Sequence, residues 1–193
     1  TVISELLLSP DQRLLFVLSH DQLYVYDLLS DDIDTPLQLL EVNQPGAHVT
    51  HISLLSGGSS ILVGNSNGVV SQWFEVKSDR GRRLTKIRQF TVGAGVKKIQ
   101  TEPARKTFAV LDNNNTISLF HTTSEATLLS YQLNKETDAL QFSPRNNALI
   151  LISDNAIDLY SLENEHPEVS WSGIWQQVWY EGYPEPDYVW QST

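Results

Sequence analysis

The residues that could do chemistry are concentrated in one basic segment, from Lys77 to Lys106. It holds ten of the 13 Lys and Arg residues and only two acids, so it carries +8 while the rest of the chain carries −18. Ammonium and guanidinium groups attract carboxylates and phosphates, so the segment predicts a surface for lipid head groups or an acidic partner. The candidate residues surround a predicted hairpin turn: Lys77, Arg80, Arg82, Arg83, Lys86 and Arg88. The alternative is a solvated strand edge, where Lys and Arg discourage edge-to-edge pairing.

Three other polar clusters do not predict a metal or phosphate site. The aspartates within residues 31–34 lack the glycine and distal glutamate of a Ca²⁺ loop, which favours a solvated loop. His48 and His51 lie on a predicted strand, where positions three apart face opposite sides. The Gly-rich stretch at residues 56–59 precedes neither Lys-Ser nor Lys-Thr, so it predicts a hairpin turn and not a phosphate loop.

Catalytic signals are weak throughout the sequence. The chain has no cysteine, which excludes thiolate chemistry, and no Gly-x-Ser-x-Gly motif. Its five histidines stand in no acid–nucleophile pattern, so we predict a protein that is not an enzyme and has no cofactor or metal. A propeller hydrolase is the alternative. The acidic body of the chain also argues against nucleic-acid partners.

The elements that must position the basic segment are short strands in a repeating unit. Its template runs from Ser9 to Asp27, where a Ser-Pro turn precedes two apolar runs separated by a second turn. Similar units recur 41 to 47 residues apart. Each unit supplies three strands plus a fourth before the next unit. The copies lie near residues 3–42, 49–92, 96–133 and 137–164.

Each copy places an aromatic residue at the same position of its third strand, which predicts one shared core position. These residues are Tyr26, Trp73, Phe120 and Tyr160. Four strands per repeat of about 40–45 residues is typical of a WD40 blade, and the chain resembles the WD40-like superfamily. The fold expected is therefore all-β, a WD40-like β-propeller of about four four-stranded blades. A β-sandwich is the alternative. The four blades are either a complete propeller or part of a larger ring, and an incomplete ring predicts a homodimer.

Residues 165–193 depart from the repeat and form an aromatic, proline-containing tail. Four of the five tryptophans lie there: Trp171, Trp175, Trp179 and Trp190. The spacing of the first three predicts an apolar helix face, although the fourth strand of the last copy must also come from residues 168–174. Such a face suits either a water–membrane boundary or docking against the propeller.

Residues 179–192, with the sequence WYEGYPEPDYVWQS, carry a second resemblance. This segment of fourteen residues is similar to one in long permease subunits of the bacterial phosphate ABC transporter. In that family a large extracytoplasmic insert follows the first membrane helix, and such a segment leads into the permease core. The resemblance implies an inner-membrane protein whose domain here is periplasmic, with membrane segments outside this chain. No apolar run in this chain approaches the roughly 20 residues of a membrane helix.

Two functions follow from these resemblances. The first is a non-catalytic interaction or regulatory domain for phosphate import, whose partners are the phosphate-binding protein or other transporter subunits. The second is a generic WD40-like scaffold for protein–protein contact, unrelated to transport. The absence of methionine, even at position 1, predicts that the chain is a piece of a longer one.

Overall fold

A computed structural model describes residues 2–20, 22–42, 45–58, 60–78, 81–154, 156–162 and 167–172. These residues form strands and turns and contain no helix. The strands make four four-stranded antiparallel sheets, each built from consecutive strands. The fold is thus an all-β propeller of four blades, which confirms the sequence prediction. The chain divides into two compact units, residues 1–134 with the first three blades and residues 135–193 with the fourth.

Each blade consists of four consecutive strands. Blade 1 contains β1 Ile3–Leu8, β2 Leu14–Ser19, β3 Gln22–Asp27 and β4 Gln38–Leu40. Blade 2 contains β5 Val49–Leu54, β6 Ser60–Asn65, β7 Val69–Ser78 and β8 Gly81–Thr91. Blade 3 contains β9 Val96–Thr101, β10 Thr107–Asp112, β11 Thr116–His121 and β12 Thr127–Gln132. Blade 4 contains β13 Ala139–Phe142, β14 Ala148–Ser153, β15 Ala156–Ser161 and β16 Pro167–Ser172.

The same turn joins the first and second strands of blades 1 and 4, and serine closes it. The amide of Leu14 donates a 2.8 Å hydrogen bond to Ser9 Oγ. In blade 4 the amide of Ala148 donates in the same way to Ser143 Oγ, at 3.2 Å. A serine hydroxyl that accepts from a nearby backbone N–H stabilises a turn, so the Ser-Pro pairs of the sequence do mark equivalent places.

The shared aromatic position is confirmed by strand register. The four aromatic residues each pair with the second residue of the preceding strand: Leu15↔Tyr26, Ile61↔Trp73, Phe108↔Phe120 and Leu149↔Tyr160. Burial differs between the blades. Phe120 and Tyr160 are buried, whereas Tyr26 and Trp73 are half-buried. The repeat therefore sets the position of the ring, and its neighbours set how much of it is covered.

Blade 2 has a core on each of its faces. One cluster joins it to blade 1 and includes Leu84 and Ile61. The other joins it to blade 3, where Phe90 of blade 2 meets two blade 3 rings. The centroid of Phe90 lies 4.9 Å from that of Phe108 and 5.3 Å from that of Phe120. Large rings that are buried in edge-to-face and tilted arrangements contribute strongly to packing. Apolar contacts therefore hold blades 1 to 3 together.

The fourth strand of blade 4 begins inside the predicted tail. The sequence predicts that strand within residues 168–174, and β16 confirms it at Pro167–Ser172. The helix prediction is therefore wrong at Trp171, which pairs with Ile157 across the sheet. Pairing with β15 overrides the four-residue spacing of the tryptophans. Trp175, Trp179 and Trp190 lie outside the described residues, and the predicted division between residues 164 and 165 stays a prediction.

Candidate functional site

The predicted basic patch lies on the hairpin formed by β7 and β8, here called the basic hairpin. Its strands are the longest of the described part of the chain, with ten and eleven residues. The pairing of β7 with β6 ends at Phe74, whereas its pairing with β8 continues to Ser78 and Gly81. The outer part of the hairpin is therefore a two-stranded ribbon that extends past the sheet.

A bulge divides the predicted patch between two faces. In the register of the hairpin, Trp73 pairs with Lys86 but Gln72 pairs with Arg88, so Ile87 is an extra residue. Because side chains alternate along a strand, the bulge turns Arg88 to the opposite face from Lys86. The buried residues of β8 show the same switch: Leu84 belongs to the core shared with blade 1, and Phe90 to the core shared with blade 3.

The candidate cations differ in their partners. Arg82 Nη1 lies 3.3 Å from Glu75 Oε2, and Lys86 Nζ donates a 2.7 Å hydrogen bond to Gln89. Arg88 pairs instead with a carboxylate of blade 3. Lys77 and Arg83 are exposed and form no ion pair with a carboxylate of the described residues. Arg80 lies outside them.

Arg82 is part of a balanced ion network between blades 1 and 2. Glu75 also binds Arg13, whose guanidinium lies 3.3 Å from Asp27 Oδ2. The hydrogen bond to Glu75 raises the pKa of Arg13 further above its usual value. On the same turn, a hydrogen bond from the Ser9 hydroxyl lowers the pKa of Asp11. Asp11, Arg13, Glu75 and Arg82 border a cleft of about 230 Å³, here called the blade 1–2 cleft.

A second cleft, of about 320 Å³, lies between blades 2 and 3 and is called the blade 2–3 cleft. It brings Arg88 together with Arg105 and Lys106, which the sequence places in the basic segment but not among the patch residues. Gln72 also lines this cleft, and nothing in the sequence marks that residue. The predicted patch residues Lys77 and Arg83 thus lie on an exposed hairpin tip, whereas Arg88 lies in a cationic cleft.

The two clustered histidines do not share a site. His51 Nδ1 lies 3.2 Å from Glu5 Oε1 of blade 1, and its Nε2 lies 3.2 Å from the carbonyl of Ile99 in blade 3. The ring therefore bridges three successive blades. His48 is exposed just before β5, and its amide donates to Ser66 Oγ.

The described ranges lack both a metal-ligand cluster and a membrane helix. They contain no group of three or more His, Cys, Asp or Glu side chains placed to hold a metal ion. The aspartates within residues 31–34 are all exposed. Within the described parts of residues 2–172, no helix has the length and apolar character that membrane crossing requires.

The comparison with known proteins adds no relative. No protein-family model matches the chain, and no curated protein matches it. Function must therefore be inferred from the fold and the two clefts.

Proposed function

We propose that this chain is a non-catalytic interaction module that binds an acidic protein partner through the basic hairpin. The observation that carries the proposal is the ribbon formed by residues 75–78 and 81–84, which extends beyond the sheet. On one face of it Arg83 pairs with Val76, and Phe74 follows on the same face. Val76 is 41% exposed and Phe74 is 39% exposed. Exposed aromatic and aliphatic groups beside arginine are typical of protein interfaces.

Charge supports an acidic partner for the tip of the basic hairpin, where Lys77 lies on the face opposite to Arg83. Lys77 and Arg83 have no carboxylate partner within the part of the chain that the structure describes. Their charges are therefore available to a neighbour, and long-range attraction would speed the encounter. A β-propeller fold is generally a protein-interaction scaffold, which agrees with this role.

More specifically, we propose that the chain is the periplasmic domain of a long phosphate ABC transporter permease of the bacterial inner membrane. The support is the resemblance of residues 179–192, and the propeller fold agrees with a large extracytoplasmic insert of this kind. Its partners would be the phosphate-binding protein or another transporter subunit. A generic WD40-like scaffold unrelated to transport is the second candidate. Apolar runs of about 20 residues after Thr193 in the natural gene would favour the transporter.

The test measures binding of the purified phosphate-binding protein from the same organism to this chain. Binding should weaken steeply as NaCl rises from about 50 to 300 mM, because salt screens exposed charges. The double variant Lys77→Gln, Arg83→Gln should lower affinity about fivefold and reduce the salt dependence. Arg145→Gln, an exposed cation of blade 4, is the matched control and should change little.

Affinity that is independent of salt, or equal in the double variant and the control, would contradict a role for the basic hairpin. Absence of binding to the phosphate-binding protein, with salt-sensitive binding to another acidic protein, would reject the transporter assignment and leave the interaction module.

A further inference from the structure

The blade 2–3 cleft has the size and lining of a binding site for a small anion. Its blade 2 wall includes Gln72, Phe74 and Arg88, and its blade 3 wall includes Arg105, Lys106 and Thr123. Its volume of about 320 Å³ falls within the range of small-molecule sites. Polar and apolar groups line it together, as they do where a polar ligand must be oriented.

Positive charge exceeds negative charge in this cleft. Arg88 Nε lies 3.4 Å from Glu125 Oε1, a carboxylate on an exposed turn. Arg105 Nε lies 3.5 Å from Glu102 Oε1. Lys106 has no ion pair with any carboxylate that the structure describes. Two carboxylates therefore face three cations.

The carboxylate of Glu102 offsets less of this charge than an exposed one would. Glu102 is 2% exposed, and its second oxygen accepts from the hydroxyl of Thr107. Burial raises the pKa of Glu102, although Arg105 partly opposes that effect. Burial in a low-dielectric environment disfavours the charged form of a carboxyl group. Arg105, whose side chain is 70% exposed, is therefore able to turn toward a ligand.

The charges of the blade 2–3 cleft can be compared with those of the blade 1–2 cleft. Arg13 in blade 1 and Lys106 in blade 3 occupy equivalent positions. In each case the backbone carbonyl of this residue accepts a hydrogen bond from the amide of the residue that follows the third strand. Arg13 contacts the carboxylates of Glu75 and Asp27, and Arg82 contacts Glu75. The two clefts share their place in the repeat, but only the blade 2–3 cleft has an excess of cations.

A buried amide also points to a ligand. Gln72 is 4% exposed, and its Nε2 donates a 3.2 Å hydrogen bond to Ser60 Oγ. Its Oε1 is buried without a hydrogen-bond partner. A buried polar atom left unpaired costs free energy, so such atoms in native proteins are usually satisfied by a ligand or water. Here the unpaired atom is an acceptor on a residue that lines the cationic cleft.

Two of the hydroxyl groups that line the cleft are already used as donors. Ser56 Oγ donates 2.6 Å to the carbonyl of Pro103, and Thr122 Oγ1 donates 3.0 Å to the carbonyl of Lys106. Recognition of an anion therefore falls to Arg88, Arg105 and Lys106. Gln72 Oε1 is left to accept a hydrogen bond from the ligand.

We propose that the blade 2–3 cleft binds a phosphate group, held by Arg88, Arg105 and Lys106, with a phosphate hydroxyl donating to Gln72. Tetrahedral oxyanions accept several charge-assisted hydrogen bonds from guanidinium and ammonium groups. A protonated phosphate also donates one hydrogen bond, which sulfate cannot do. The phosphate is either the free ion or a monoester whose organic part contacts Phe74. This role goes beyond the partner binding proposed above, since it involves the cations of the cleft and not Lys77 and Arg83, although Phe74 borders both surfaces.

The test is isothermal titration calorimetry in phosphate-free buffer at constant ionic strength. The probes are inorganic phosphate, glycerol 1-phosphate, sulfate and chloride. We expect saturable one-to-one binding of a phosphate probe, weaker binding of sulfate and no saturable binding of chloride. Lys106→Gln and Arg105→Gln should each weaken binding about tenfold, the usual effect of losing one charge-assisted hydrogen bond. Lys77→Gln removes the same charge from the hairpin tip and should change affinity by less than about twofold.

The remaining outcomes separate the possibilities. Tighter binding of inorganic phosphate than of the monoester identifies the free ion as the ligand, and the reverse identifies an esterified phosphate. Equal affinity for phosphate and sulfate would refute the acceptor role of Gln72. Equal weakening by Lys77→Gln and Lys106→Gln, or no saturable binding by any probe, would overturn the site. Because Lys106 and Arg105 are exposed, their variants should fold, and circular dichroism checks that. Partner binding through the hairpin can fail or succeed independently of these results.

Discussion

Replacement of Gly68 by alanine tests how closely blade 2 approaches the connection to blade 3. Gly68 ends the turn between β6 and β7 with φ of 82°. A Cβ placed there would lie 2.6 Å from the carbonyl oxygen of Ala94 and 2.7 Å from that of Val92. The left-handed backbone alone does not require glycine, because Asn115 adopts φ of 60° at the equivalent place in blade 3. The close approach of two backbone oxygens is what excludes a side chain.

The size of the expected destabilisation is worked out by comparison with a matched control, Gly57→Ala. Gly57 has φ of 84° and no atom within 4 Å of a built Cβ, so Gly57→Ala carries the backbone strain alone. That strain costs about 1–2 kcal/mol. Gly68→Ala adds overpacking of about 1–3 kcal/mol, because backbone atoms must move. We therefore expect Gly68→Ala to lower the free energy of unfolding by about 2–5 kcal/mol in total.

Urea unfolding followed by circular dichroism measures both variants against the original protein. The m-value should stay the same, so that a change in midpoint reports stability. If Gly68→Ala were no more destabilising than Gly57→Ala, the packing of the β6–β7 turn against residues 92–94 would be refuted.

Three further predictions test other contacts. Glu102→Gln should raise the free energy of unfolding near pH 7, because the folded-state pKa of the Glu102 carboxyl lies above its unfolded value. The Glu102 carboxyl of the original protein contributes its full stability below the unfolded pKa, and this contribution is lost as pH rises through the folded pKa. The gain from Glu102→Gln should therefore vanish at about pH 3. A gain that is equal near pH 7 and at about pH 3 would contradict the burial effect. His51→Ala should cost about 1–3 kcal/mol in urea unfolding, because it leaves Glu5 Oε1 without its ring partner; a neutral effect would count against the bridge between blades. Phe108→Ala should cost about 3–5 kcal/mol at a position with 0% exposure, whereas Phe74→Ala at 39% exposure should cost under about 1 kcal/mol; similar losses would contradict the assigned core.

The repeat of the sequence predicts the fold because strand signals are local. Apolar runs of about six residues, each bounded by Ser-Pro, Asn-Gly or Asn-rich turns, predict the strands and their order. The equivalent placement of Tyr26, Trp73, Phe120 and Tyr160 in the third strand of each copy predicts a register that the structure confirms. The tryptophan spacing after residue 170 is misleading at Trp171, where pairing with Ile157 decides the conformation.

The candidate site was less predictable, because it depends on which faces of neighbouring blades meet. Simple alternation places Arg82, Lys86 and Arg88 on one face of the hairpin. The bulge at Ile87 moves Arg88 to the other face, and no sequence signal marks that bulge. Arg105 joins Arg88 only because blade 3 packs against that face. Contacts between distant segments of this kind need three-dimensional information.

The excess positive charge of the blade 2–3 cleft is tested most directly by ¹H–¹⁵N NMR spectra recorded as inorganic phosphate is added. We predict saturable shifts of the amides of Arg105, Lys106 and Thr123, with the amides of Asp11 and Arg13 in the balanced blade 1–2 cleft unmoved. Shifts of equal size in both clefts, or none in either, would contradict the conclusion that charge imbalance selects the anion site.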